Sequence, residues 1–196
     1  MQFSTYFLAA LSMGSALAAP LVDIQIFNTA AAELTRARNT IHQQAAAIKL
    51  LVGGAPTVEN VNKIRDCATI VGQNLNILIT PSIALGSIGS TSLTKAQLAA
   101  IPKFAEDFRA IILDVELIGK TISHSRLSRD QLTQVKPELE WALATTSPLA
   151  RPILAFIKLA APSYYQGYYG VPPALLSIQA LINIDLAVFI GIGISL

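Results

Sequence analysis

The stretch TKAQLAAIPKFAEDFRAIILDVELIGKTI, residues 94–122, decides the fold class of this chain. Apolar residues recur in it at intervals of three and four, the spacing that places side chains on one face of an α-helix. They are Leu98, Ile101, Phe104, Phe108, Ile111, Val115, Ile118 and Ile122. Residues 94–97, Thr-Lys-Ala-Gln, form a capping-box pattern, in which the Thr and Gln side chains satisfy backbone N–H groups at a helix start. An amphipathic helix over residues 98–122 is therefore predicted.

A second apolar stripe precedes this helix, between residues 22 and 52. Its spacing is heptad-like, with Arg38 as the one charged residue on it, and its apolar members are Ile24, Phe27, Ala31, Leu34, Ile41, Ala45, Ile48 and Val52. We expect the corresponding helix to end at Gly53-Gly54, because glycine accepts the left-handed conformation found beyond helix C-termini.

A third stripe runs from Val61 to Leu78 and predicts another helix. Pro81 is expected to stop it, since proline lacks the backbone N–H that a helix interior needs. The Gly- and Ser-rich residues 82–92 then predict a loop, which would separate this helix from the one at 98–122.

The C-terminal part begins with a second capping box, Ser-Arg-Asp-Gln at residues 128–131. The helix that follows is expected either to break at Ser147-Pro148 or to give way there to a new helix, which continues over residues 149–159. Residues 163–173, rich in Tyr, Gly and Pro, predict a loop, and residues 174–196 form a last apolar segment.

Composition and periodicity together predict the architecture. Of the 196 residues, 53% are hydrophobic and 13% are charged, so the chain has ample apolar surface to form a core. Helical spacing dominates, alternation with a period of two is absent, and the connections are short. We therefore expect an all-α fold, a single-domain bundle of about five amphipathic helices over residues 19–196.

The N-terminus has the pattern of a secretory signal peptide over residues 1–18. An apolar run from Tyr6 to Leu17 is followed by the small-residue motif Ala16-Leu17-Ala18, and cleavage after Ala18 is favoured over cleavage after Ala19, which would leave Pro20 next to the cut. The run is shorter than the roughly 20 residues of a membrane-spanning helix. We expect a secreted protein with no transmembrane span.

The polar residues give little indication of catalysis. A net charge of +2, from 14 Lys and Arg against 12 Asp and Glu, is too small and dispersed for nucleic-acid binding. One cysteine and two histidines offer no metal-ligand set, so Cys67 is expected to be a small buried residue, and His42 and His124 are expected at the surface or its boundary. The neighbouring carboxylates are expected on solvated helix faces, and they are Glu106, Asp107, Asp114, Glu116, Glu138 and Glu140. We expect no enzyme, no cofactor and no metal.

Two groups of residues are candidates for apolar recognition. The first is Phe104, Phe108, Ile111 and Val115, which are expected in the core, with the alternative that the helices enclose a cavity that accepts an acyl chain. The second is every tyrosine of the mature chain, Tyr164, Tyr165, Tyr168 and Tyr169. These rings would either form an adhesive surface loop or pack back on the bundle, and the sequence favours neither.

Several segments together resemble a known family. They are the helix end Ile-Lys-Leu-Leu-Val-Gly-Gly at 48–54, the polar segment 91–97 before the helix 98–122, and the helix start Leu-Ser-Arg-Asp-Gln-Leu at 127–132. In this order the chain is similar to the fungal hydrophobic surface-binding protein A family, also called the cell wall galactomannoprotein family. The resemblance covers about residues 22–160. It implies a secreted, non-enzymatic, all-helical protein associated with hydrophobic surfaces and cell walls, in some members with fatty acids between helices.

The leading hypothesis is a secreted protein, extracellular or in the fungal cell wall, that binds hydrophobic surfaces or lipids such as fatty acids, with cell-wall polysaccharide as a second candidate partner. A GPI-anchored structural wall protein is one alternative, because Leu186–Leu196 has the length of a GPI-signal tail, although residues 171–184 are apolar where such signals have a polar spacer. The other is a secreted effector that binds a host protein through the apolar or the Tyr-rich face.

Overall fold

Four long helices form the part of the chain that the computed structural model describes, which is residues 3–88 and 93–162, with the helical backbone alone for residues 3–21. The helices are α1 (Phe3–Gly53), α2 (Val58–Leu85), α3 (Lys95–Ser123) and α4 (Arg129–Ala160). These described residues contain no β-strand, so the all-α class is confirmed. The predicted fifth helix is not confirmed, because the loop 163–173 and the apolar segment 174–196 lie outside the described residues.

Both predicted capping boxes are confirmed. The backbone N–H of Thr94 donates to Gln97 Oε1 at 2.9 Å, and the N–H of Gln97 donates back to Thr94 Oγ1 at 3.3 Å. Ser128 and Gln131 repeat this exchange at the start of α4, at 2.8 and 3.3 Å. The local hydrogen-bond chemistry of four residues is thus enough to place the beginnings of α3 and α4.

Two predicted helix breaks are wrong. Helix α2 continues through Pro81 to Leu85, and α4 passes Ser147-Pro148 without interruption to Ala160. In both places the residues after the proline lie in the core, as Leu85 and Leu149 do. The free energy of burying these side chains outweighs the one backbone hydrogen bond that each proline removes. Residues 82–85 are therefore helix rather than loop.

The end and the register of α1 also differ from expectation. The helix does end at Gly53, but no glycine in the described residues has a positive φ. Instead the N–H of Gly54 donates to the Leu51 carbonyl at 3.3 Å, and the Asn60 side chain donates to the Ala55 carbonyl at 2.8 Å, which together stabilise the turn. Farther back, Ala37 occupies the core position that the stripe had given to Arg38.

The four helices form two helical hairpins that lie side by side. Helix α1 packs against α2 and α3, and α4 packs against α2 and α3. Two polar contacts between α1 and α3, Thr35 with Asp107 and His42 with Asp114, each join residues 72 positions apart, so these two helices are parallel and in a fixed register. We name the end with the α1–α2 turn and the α3–α4 turn (residues 124–128) the hairpin end.

A cluster of phenylalanines fills the core near the opposite end, which we name the aromatic end. Phe27 of α1, Phe104 of α3 and Phe156 of α4 form a triangle with ring centroids 5.7, 5.8 and 6.0 Å apart. Separations of this size are the favourable range for tilted and edge-to-face rings. Three of the four helices are joined at this point by direct aromatic contact.

Helix α2 is the one helix among the described residues that is long and apolar enough, by length and composition, to cross a membrane. The core helix of a soluble protein passes the same test, and α2 packs against both α1 and α4 here. The absence of a transmembrane span therefore stays a prediction, as does the signal peptide with its cleavage at Ala18 or Ala19.

Candidate functional site

The four predicted apolar contacts on α3 all lie inside the core. Phe104 is 3% exposed, Val115 is 1% exposed, and Phe108 and Ile111 are fully buried. A cavity wide enough for an acyl chain leaves the side chains that line it accessible to a water-sized sphere, and these four are not accessible. They pack against neighbouring helices instead, so a lipid can reach them only if the helices separate.

The tyrosine cluster falls in the predicted loop 163–173, which lies outside the described residues. The positions of Tyr164, Tyr165, Tyr168 and Tyr169 are therefore not part of the site described here, and their role as an adhesive surface stays a prediction.

Asp107, which was expected on a solvated helix face, is instead the most buried acidic side chain described, and it connects α1 and α3. Its Oδ2 accepts a hydrogen bond from Thr35 Oγ1 at 2.8 Å and is 2.5 Å from Lys103 Nζ, while Arg38 Nε lies 3.9 Å from Oδ1. Two hydrogen-bond donors and a more distant guanidinium thus surround one carboxylate that is only 5% exposed. Hydrogen bonds to a charged group are worth about 1.5–3 kcal/mol each, so this arrangement fixes the register between two parallel helices.

The two histidines and the cysteine lie where the sequence predicted them. His42 and His124 are exposed, and His42 Nδ1 is 3.1 Å from Asp114 Oδ2. Cys67 is 9% exposed in α2, and burial, with a smaller contribution from Asp66, raises the pKa of its thiol. A raised pKa disfavours the thiolate, which is the reactive form. Within the described residues no three His, Cys, Asp or Glu side chains come together to hold a metal ion.

The outer surface of the bundle is where accessible apolar groups are found. Ten large apolar side chains are exposed in the described part of the chain: Val22, Leu50, Val58, Ile77, Ile83, Leu98, Leu113, Leu117, Trp141 and Leu159. The two most exposed are Leu50 at 78% and Val58 at 72%, on either side of the α1–α2 turn. Single exposed apolar residues are ordinary on protein surfaces, so their clustering is the informative feature.

Two open grooves lie between α1 and α2, and each is lined by one of these exposed side chains, Leu50 or Val22. One, of about 410 Å³, lies near the hairpin end and is lined by Ala47, Leu50, Leu51, Lys63, Asp66, Cys67 and Ile70. The other, of about 270 Å³, lies near the aromatic end and is lined by Val22, Gln25, Ile26, Thr29, Pro81 and Ala84. None of the four α3 residues predicted from the sequence lines either groove.

The groove near the hairpin end was not predicted from the sequence, although the sequence contains a signal for it. Residues 50–58, LLVGGAPTV, contain no charged residue, and Leu50 falls outside the apolar stripe that forms the core face of α1. An uncharged turn, together with a leucine on the side of its helix that faces away from the core, indicates exposed apolar surface.

Comparison with known proteins adds no relative, because no family model, no curated protein and no solved structure matches this chain.

Proposed function

We propose that this chain is a secreted, non-enzymatic protein that binds hydrophobic surfaces or lipids through the outer face of its helical bundle, in the extracellular space or at a cell wall. One observation carries the proposal: the two most exposed apolar side chains, Leu50 and Val58, lie on either side of one turn, and Leu50 also lines an open apolar groove, while the α3 stripe is packed from Ile101 to Ile122. Apolar area on the outside is available to a surface without any rearrangement of the fold.

The packed core supports an outer binding surface rather than an inner cavity. Because Phe108 and Ile111 are fully buried, an acyl chain placed between the helices would have to displace side chains that already fill that space. Fatty acids and other lipids are therefore proposed to bind on the surface.

The carboxylates support a non-enzymatic role, because five of the six neighbouring carboxylates singled out in the sequence form an ion pair with a basic side chain. The partners are Lys103 and Arg38 for Asp107, His42 for Asp114, Lys120 for Glu116, Arg65 for Glu138 and Lys136 for Glu140. Glu106, the remaining one, is exposed. Ion pairs of this kind are ordinary on helix surfaces and do not require a catalytic role.

Adsorption of the secreted protein tests the proposal. The chain is expressed with its N-terminal segment in a eukaryotic host, and the medium is analysed by intact mass. We expect a chain that begins at Ala19 and that depletes from solution onto polystyrene beads and phosphatidylcholine vesicles more than a hydrophilic helical protein of equal size does. A second incubation, with insoluble cell-wall polysaccharide, examines the other candidate partner.

Native mass spectrometry of the same sample separates the two modes of lipid binding. A bare mass together with adsorption supports the outer surface, whereas a tightly held fatty-acid adduct indicates that the helices open. A mass that ends before Leu196 favours the GPI-anchored wall protein instead. The absence of adsorption to both beads and vesicles contradicts the proposal.

A further inference from the structure

The α1–α2 turn is an uncharged, exposed tip at one end of the bundle. Residues 50–58 contain no charged side chain, and residues 53–58 are all exposed. Leu51 and Val52 pack partly against the core at the base of this tip, whereas Leu50 and Val58 project into solvent. The fold does not use these two side chains, so the core gives no reason for a leucine and a valine there.

Hydrogen bonds hold the tip in a defined position. The Asn60 side chain donates to the Ala55 carbonyl at 2.8 Å, and Gln131 Nε2 of α4 donates to the Pro56 carbonyl at 2.6 Å. Thr57 caps α2 through the N–H of Asn60 at 3.2 Å. Because hydrogen bonds already fix the backbone of this turn, less conformational entropy is lost when its apolar side chains bind, and the entropic cost of binding is lower.

Exposed basic residues lie on three of the elements that meet at the hairpin end: the end of α1, the α3–α4 turn and the start of α4. Lys49, Arg126 and Arg129 are exposed and form no ion pair with any residue that the structure describes. Lys63 is paired with Glu59 at 2.6 Å, and Asp130 lies in the first turn of α4, where the helix dipole favours an acid. The same dipole disfavours Arg129, the first residue of α4, so helix stability does not account for it.

The hairpin end also differs from the aromatic end in its surroundings. Val22, Ile83 and Leu159 are exposed near the aromatic end, but the chain continues there into residues whose side chains are not described. At the hairpin end both turns and all four helix ends that meet there are described in full. The exposure of Leu50 and Val58 is therefore measured with all of the neighbouring turns and helix ends in place.

We propose that the hairpin end is a docking surface for an anionic lipid layer, in which Leu50 and Val58 enter the acyl region while Lys49, Arg126 and Arg129 contact the negatively charged headgroups. This inference rests on the proposed function and adds to it the site and the lipid class. Binding at a lipid surface has two contributions: apolar side chains insert among the acyl chains, and cations are attracted to the anionic headgroups.

Vesicle co-sedimentation of the full secreted chain tests the apolar part. The variant Leu50→Ser/Val58→Ser is compared with Ile83→Ser/Leu159→Ser, a control with similarly exposed residues at the other end. On vesicles of phosphatidylcholine with phosphatidylserine we expect the tip variant to lose affinity by about tenfold per side chain, from the free energy of burying a Val or Leu, and the control to change little. Circular dichroism verifies that both variants fold.

The contribution of the basic residues is tested with a second pair of variants, one at the hairpin end and one control. Arg126→Gln/Arg129→Gln is expected to weaken binding to the phosphatidylserine vesicles by about fivefold per cation and to leave binding to pure phosphatidylcholine unchanged. The control Lys95→Gln/Arg109→Gln removes two exposed cations away from the hairpin end; it is expected to weaken binding to the phosphatidylserine vesicles less and to leave binding to pure phosphatidylcholine unchanged as well.

The outcomes separate this inference from the proposed function. If the wild-type chain binds vesicles and the tip variant binds equally well, the docking surface is wrong while the proposed function stands. If the wild-type chain binds neither vesicles nor polystyrene, both are wrong. Finally, Leu50→Cys in a Cys67→Ala chain is expected to react with maleimide as fast as a free thiol; slow labelling shows that a second copy or the C-terminal segment already covers the tip, and overturns the inference.

Discussion

The indole of Trp141 in α4 lies directly against the backbone of α2 at Gly72. A Cβ built on Gly72 would be 2.4 Å from Cε3 and 2.5 Å from Cζ3 of this ring. Carbon atoms in favourable contact are about 3.5–4.0 Å apart, so the ring would have to retreat by more than about 1 Å. The change Gly72→Ala is therefore predicted to disturb the packing of α4 on α2.

Two contributions of opposite sign set the magnitude. Inserting a methyl group into a packed interface costs about 1–3 kcal/mol, and alanine favours a helix interior over glycine by about 1 kcal/mol. Gly72→Ala should thus lower the free energy of unfolding by about 1 kcal/mol. In a Trp141→Ala background the clash is gone, and the same change should raise the free energy of unfolding by about 1 kcal/mol. The sign reversal is the specific prediction.

Urea denaturation followed by far-UV circular dichroism measures all four proteins of this cycle, because Trp141 is the sole tryptophan and fluorescence is lost with it. Gly53→Ala is the control, since a Cβ there meets no atom within 4 Å. If Gly72→Ala stabilises the protein equally with and without Trp141, the indole does not lie against α2 as described, and the packing of α4 is wrong.

Three further predictions concern stability. Asp107→Ala should cost about 2 kcal/mol in urea denaturation because it leaves the donors of Thr35 and Lys103 without their acceptor, while Glu106→Ala, its exposed neighbour, should change stability by less than about 0.5 kcal/mol. Thr94→Ala should cost about 1 kcal/mol through the lost cap, measured in the same way, and an unchanged midpoint would contradict the capping box. For Cys67, burial raises the thiol pKa in the folded state, so the unfolded chain loses its proton first; stability should fall as the pH rises above the ordinary thiol pKa, and Cys67→Ala should remove this pH dependence.

Local chemistry made part of the fold predictable from the sequence. The apolar stripe of α3 is predicted correctly for seven of its eight members, from Ile101 to Ile122, which lie in the core because its period matches the helix; Leu98, in the first turn, is 40% exposed instead. The capping boxes at Thr94 and Ser128 were assigned correctly because a few neighbouring residues satisfy one another. Neither prediction depends on distant contacts.

The remaining features depend on tertiary packing, which a local pattern does not contain. Pro81 stays inside α2 because Leu85 beyond it is buried. Ala37 lies in the core where the stripe had Arg38, and the Arg38 guanidinium lies 3.9 Å from Asp107 of α3. A stripe such as Phe104 to Val115 is also the same in a filled core and in a hollow one. For the candidate site, the decisive property of Leu50 is its exposure, which depends on how α2 packs against α1.

Hydrogen–deuterium exchange of the secreted chain, free and bound to phosphatidylcholine–phosphatidylserine vesicles, tests the central claim that lipid binds outside a closed core. We predict slower exchange over residues 50–58 on the vesicles, with the amides of residues 104–115 equally protected in both states. Faster exchange over residues 104–115 on the vesicles, with no protection at the tip, would show that the helices separate to admit the lipid and would contradict the account.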